Sequence, residues 1–158
     1  MTLNPTLSRP TFDPSYGITG DPEGADWPAT EAKLAAARNY WVATTRRDGA
    51  PHAKPVWGIW QDGALWFGTA TDSVTGRNLA RDPRIAVHLE SGDDTVILEG
   101  RVEVMAVTPA LTATYNRKYA QPEDQSPDGA TWYRFSPAVA LTWLEHDFVN
   151  TAARWTFE

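Results

Sequence analysis

The chain predicts a mainly β fold: roughly six antiparallel strands closed or partly closed into a barrel, with short peripheral helices. Three observations point there. Runs rich in aromatic and β-branched residues recur along the chain, as strands require. Turn signals separate them, at Asp48-Gly49, Asp62-Gly63 and Gly92-Asp93-Asp94. Only two or three stretches carry helical character. The alternative from pattern alone is an α+β sheet with helices on one face.

The elements follow in order. Residues 1–27, rich in Pro, Gly, Asp and Thr, read as an extended or flexible N-terminal arm, with one domain over 28–158. Pro28 then opens an alanine-rich stretch to Arg38, read as a helix. Tyr40–Thr45 is the first strand, His52–Trp60 the second and Ala64–Thr69 the third, an antiparallel meander. Pro55 inside the second strand requires an edge or a bulge, because it cannot donate to a ladder. Ser73–Ala80 is a short helix capped by Asp72 or Ser73. Ile85–Glu90 and Thr95–Val104 are strands. Pro109 starts a helix towards Tyr119 with Leu111, Tyr115 and Tyr119 on one face. Gln121–Ala130 is a polar loop, and Trp132–Leu144 a last strand interrupted by Ser136-Pro137.

Composition limits the function. At 158 residues, 14 Lys plus Arg stand against 20 Asp plus Glu, a net charge of −6. No basic field is available for nucleic acid or an anionic membrane surface, although a local cationic pocket for one small anion is allowed. There is no cysteine, which excludes disulfides and thiolate chemistry. No apolar run approaches the ~20 residues of a membrane span and no signal peptide is visible, so the expected location is cytoplasmic. His52, His88 and His146 lack metal-ligand spacing, so no metal site is expected. Eight tryptophans exceed what a core of this size needs, so some are expected at an interface or a ring-binding pocket.

Four stretches carry a resemblance. They are Tyr40–Trp57, with Arg46-Arg47-Asp48-Gly49 and Lys54-Pro55-Val56-Trp57 inside it; Phe67-Gly68-Thr69 followed by Ser73–Arg84; Ile97–Glu103; and the tail Arg154–Phe157. In this order they resemble the pyridoxamine-phosphate-oxidase-like, FMN-binding split barrel, over roughly residues 28–157. The tail and the Trp-rich strands look most like its actinobacterial branch that uses coenzyme F420 or flavin. The resemblance implies a six-stranded antiparallel split β-barrel, a homodimer, and cofactor sites at the subunit interface.

It also implies site residues: Lys54 with Ser73, Val74 and Thr75 at the cofactor phosphate, and backbone near Pro55, Val56, Trp57, Gly68 and Thr69 at the ring. Arg77 is a further candidate clamp. Family members commonly carry basic residues where this chain has Val74 and Thr75, which removes charge partners from an FMN phosphate. A longer anionic tail, as in F420, has Arg46, Arg47, Arg81 and Arg84 to spread across. The expected function is therefore F420-dependent hydride transfer to a small organic acceptor. The alternatives are an FMN-binding oxidoreductase and a non-catalytic flavin- or F420-binding protein. The catalytic residue stays open, with Tyr133 and His52 as candidate proton donors. Each site residue also has a plainer reading: Lys54 as a surface lysine, Ser73 as a simple helix cap, Arg77 as a solvated face, Gly68 as ordinary turn geometry.

Overall fold

The computed structural model describes residues 3–125 and 129–158. The expected loop over 121–130 therefore falls partly outside the described residues. Helix α1 (Trp27–Ala36) carries Pro28 in its first turn and buries Trp27, Thr30 and Leu34. Strands β2 (Tyr40–Thr45) and β3 (Pro51–Val56) form a hairpin, and β4 (Ile59–Gln61) and β5 (Ala64–Ala70) form a second. Helix α2 (Val74–Arg81), β6 (Arg84–His88) and β7 (Asp94–Val104) follow. Next come α3 (Pro109–Lys118), β8 (Ala130–Leu144), α4 (Phe148–Thr151) and β9 (Ala153–Thr156). At the other end of the chain, β1 (Thr6–Ser8) pairs with β9.

The barrel expectation is corrected here. Among the described residues nine strands lie in one sheet, in the order β1-β9-β8-β7-β6-β2-β3, with β5 branching from β8 and β4 pairing there only with β5. The hydrogen-bonded path does not return on itself, so this is an open sheet and not a six-stranded split barrel. The predicted strand His52–Trp60 breaks after Val56 because Gly58 cannot continue a ladder. Its N–H goes to the Tyr119 hydroxyl at 2.8 Å and its carbonyl to Lys118 Nζ at 2.9 Å. Pro51 and Pro55 deprive β3 of two ladder donors, and β3 pairs with β2 alone. The two chain ends supply β1 and β9, which strand patterning did not single out.

β8 organises the sheet. It pairs with β7 along one edge, while its other edge takes β5 over Ala130–Phe135 and β9 over Val139–Thr142. Pro137 does not interrupt it. A register shift between Glu99 and Gly100 absorbs the proline, placing Gly100 opposite it. A Cβ at Gly100 would stand 2.1 Å from the Ser136 carbonyl oxygen, so the close approach needs glycine. Tyr40, Val42, Phe67, Val87, Leu98 and Phe135 are all fully buried and belong to one hydrophobic core. Arg9 ties the N-terminal segment down by donating to the carbonyls of Val149, Asn150 and Ala152, at the end of α4, and of Gly20 and Asp21. No described helix is long and apolar enough to cross a membrane.

Candidate functional site

The site is built where β5 runs into α2. Strand β5 ends at Ala70, the Ser73 amide donates back to the Ala70 carbonyl at 3.0 Å, and Ser73 caps α2 by accepting from Gly76 N at 3.0 Å. Gly76 makes the tight crossing possible, since a Cβ there would lie 2.5 Å from the Ala70 oxygen and 2.6 Å from that of Thr71. The turn brings the Thr69 and Ser73 hydroxyls to 3.1 Å. Lys54 reaches the same point from β3. Paired residues on neighbouring strands share a face, so the pairs Thr44–His52 and Val42–Lys54 put His52 and Lys54 on the inner side of the β2–β3 hairpin. From there Lys54 Nζ donates to Thr69 Oγ1 at 3.3 Å.

Three of the residues singled out in the sequence thus form one chain of donors, Lys54–Thr69–Ser73. Among the described residues no carboxylate pairs with the ammonium. A half-buried cation whose one bond among the described residues is to a hydroxyl keeps two N–H donors for an anion. This donor set fits the phosphate end of a nucleotide-like cofactor.

The other candidates lie elsewhere. Thr75 turns inward, 1% exposed, with its hydroxyl buried and unpartnered. Val56 is in the core, and Pro55 lies on the opposite, exposed face of β3. Trp57 stacks flat on Tyr119 with ring centroids 4.4 Å apart, and the Arg38 guanidinium lies over both rings. The space that glycine leaves at position 68 is filled by the protein's own Trp132, whose Cε2 would be 2.8 Å from an added Cβ. Of the two candidate proton donors, Tyr133 is 2% exposed and packs on Phe67 in the core. His52 is half-buried, with Nδ1 sealed from solvent and unpartnered.

Two features go beyond the sequence reading, which named Arg46, Arg47, Arg77 and Arg81 but not the hollow they share. The first is a cleft of about 570 Å³ between the β2–β3 turn and α2, lined by Arg46, Arg47, Val74, Arg77, Asn78 and Arg81. The signal was present: 74, 77, 78 and 81 fall on one helical stripe. Arg84, which seemed to belong with these arginines, is paired with Asp82 at 2.6 Å. The second is Lys118, at the end of α3, which donates to Tyr40 Oη at 3.0 Å and to the Gly58 carbonyl. It lies 4.9 Å from the centroid of the Tyr40 ring. Burial lowers its pKa to about 8, and burial pushes the Tyr119 phenol up to about 12. No group of His, Asp or Glu side chains suited to a metal ion occurs among the described residues.

Comparison with known proteins agrees with this architecture. Solved structures that resemble the chain are functionally mixed. A conserved hypothetical protein, Rv2991 from Mycobacterium tuberculosis, aligns with TM-score 0.69 at 24% identity, over 79% of this chain and 90% of that one. An F420 reductase aligns with TM-score 0.57 at 23% identity, over 75% and 97%. A heme binding protein from Mycobacterium smegmatis aligns with TM-score 0.61 at 20% identity, over 72% and 51%. At these identities the likeness is one of fold. No curated protein matches the chain. The model of one family, Pyridoxamine 5'-phosphate oxidase, matches residues 27–144, which take in β3, β5 and α2 and so every residue of the Lys54–Thr69–Ser73 chain. The protein belongs to the pyridoxamine 5'-phosphate oxidase family, a family associated with oxidoreductases.

Proposed function

We propose that this chain is an oxidoreductase that binds a flavin, FMN, with its phosphate at Lys54, Thr69 and Ser73. One observation carries the reading: an ammonium and two hydroxyls follow one another at 3.3 Å and 3.1 Å where β5 meets α2, with no carboxylate partner among the described residues. A bound flavin supplies hydride transfer. The chain's own part is binding and orientation. Lys54 offsets the anion's charge, and the Thr69 and Ser73 hydroxyls fix its direction through hydrogen bonds. With Tyr133 enclosed in the core, His52, which shares the inner face of β3 with Lys54, is the remaining candidate proton donor.

A deazaflavin such as F420 is the second reading, favoured by the arginine-lined cleft beside α2. We also propose a homodimer that completes the site. Its support is a largely apolar hollow of about 670 Å³ on the β2–β6–β7 face, lined by Ala43, Pro51, Ile85, Ala86, Ala138 and Val139 among others. Side-by-side fluorescence titration with FMN and F420 decides between the two cofactors. Reduction of an acceptor panel by the loaded protein separates an enzyme from a cofactor carrier. Sedimentation tests the dimer: a monomer that binds FMN at full strength contradicts it.

A further inference from the structure

We infer that Lys118 is a covalent modification site, apart from the Lys54–Thr69–Ser73 chain, whose side-chain amine takes an acyl group from acyl phosphates. The chain has three lysines, Lys33, Lys54 and Lys118, among 14 residues of Lys and Arg. Lys33 is exposed and paired with Asp94 at 2.7 Å. Lys54 is bonded to Thr69 at the candidate site. Lys118 is half-buried and has no carboxylate partner among the described residues.

Neutral groups hold the amine. It donates to Tyr40 Oη at 3.0 Å, from β2, and to the Gly58 carbonyl at 2.9 Å, between β3 and β4. The centroids of the Tyr40 and Tyr119 rings lie 4.9 Å and 5.4 Å from Nζ. The other charge at the Tyr119 ring is the Arg38 guanidinium, of the same sign. Burial among neutral groups disfavours an ammonium, and the Lys118 pKa is lowered to about 8 by that burial.

The hydrogen bonds leave the amine free to react. An ammonium carries three N–H donors, and Lys118 uses two of them. A neutral amine still has two, so loss of the third proton breaks no bond to a described residue and leaves a lone pair at the unused position. That lone pair attacks the carbonyl carbon of the acyl phosphate. The C–N bond forms, the C–O bond to phosphate breaks, and the amine's surplus proton leaves with the phosphate. The amide product keeps one N–H. Lys118 then gives up its charge and its bond to either Tyr40 or Gly58, which loosens the tie between α3 and the break after β3.

Treatment of the wild-type protein with acetyl phosphate, followed by timed peptide mass spectrometry, tests the inference. No variant is needed, so folding is not at stake, and Lys33 is the control within the same molecule. At pH 7.5 about a quarter of Lys118 is neutral, against about one in a thousand of an ordinary lysine. Its lower basicity takes back part of that gain, so Lys118 should acetylate about tenfold faster than Lys33. Its rate should also level off above about pH 9, while that of free Nα-acetyl-lysine goes on climbing to about pH 10. A Lys118 rate no higher than that of Lys33, or one that climbs in step with the free lysine, overturns the inference.

Discussion

Tyr119→Phe removes a single oxygen atom, yet that oxygen joins α3 to two other parts of the chain. The Tyr119 hydroxyl accepts from Gly58 N at 2.8 Å and has the Arg38 carbonyl at 2.8 Å to donate to. Gly58 is buried, so its amide loses its partner without access to bulk water, and the cost of such an orphaned donor is about 1–3 kcal/mol. The Arg38 carbonyl lies on an exposed residue and can be rehydrated. The Gly58 carbonyl keeps Lys118, and the stack of ring 119 on Trp57 does not need the hydroxyl. The expected loss is therefore about 2 kcal/mol, which for a domain of this size lowers Tm by about 4–8 °C. Urea unfolding followed by tryptophan fluorescence measures it. Tyr115→Phe is the control, because the Tyr115 ring packs on Tyr119 and Trp132 while its hydroxyl bonds to no described residue. A loss below about 0.5 kcal/mol at position 119, or an equal loss at both positions, refutes the latch.

Two further outcomes follow from the same geometry. Gly68→Ala forces Trp132 aside, because the added Cβ meets its Cε2 at 2.8 Å and its Nε1 at 3.1 Å. Overpacking of this kind costs about 1–3 kcal/mol, and a lowered urea midpoint with an altered near-ultraviolet dichroism spectrum is expected; an unchanged midpoint contradicts the contact. Stability should also rise from about pH 8 to about pH 10. Burial holds folded Lys118 near 8, against 10.5 when unfolded, so in that window the unfolded chain binds the extra proton and stability climbs with pH. Above about pH 10 the trend reverses, because burial raises the phenols of Tyr40 and Tyr119 and the unfolded chain loses those protons first. Urea midpoints across pH 7.5–10.5 show the climb, and it should vanish in Lys118→Met; a climb that persists there places its origin elsewhere.

Local signals made much of this molecule legible. The run Tyr40–Thr45 forms a strand with those bounds, Ser73 caps the helix after it, and Pro109 opens α3 within its first turn. These depend on residues within a few positions of one another. The way the strands pair across the sheet depends on distant ones. The run from His52 to Trp60 patterns like a single strand, and only the Gly58–Tyr119 bond, 61 positions apart, shows why it divides. β1 and β9 are short, and their pairing joins the two ends of the chain. At the candidate site, residue type points to Lys54 and Ser73 as possible anion ligands, whereas Thr69, expected at the cofactor ring, has its hydroxyl between them. Side-chain direction is not readable from sequence, so Thr75 is expected at the phosphate and Trp57 at the ring, although one faces inward and the other stacks on Tyr119. Arg77 and Arg84 looked equivalent as charges. One lines the cleft, and the other is held by a neighbouring aspartate.

The central claim is that Lys54 supplies the positive charge for the cofactor's anionic end. Its most direct test is titration of FMN into wild type and Lys54→Ala, followed by flavin fluorescence at matched ionic strength. Loss of a charge-assisted contact worth about 1.5–3 kcal/mol weakens binding by about ten- to a hundredfold, with the unfolding midpoint of the protein unchanged. Equal affinity in the two proteins would contradict the account.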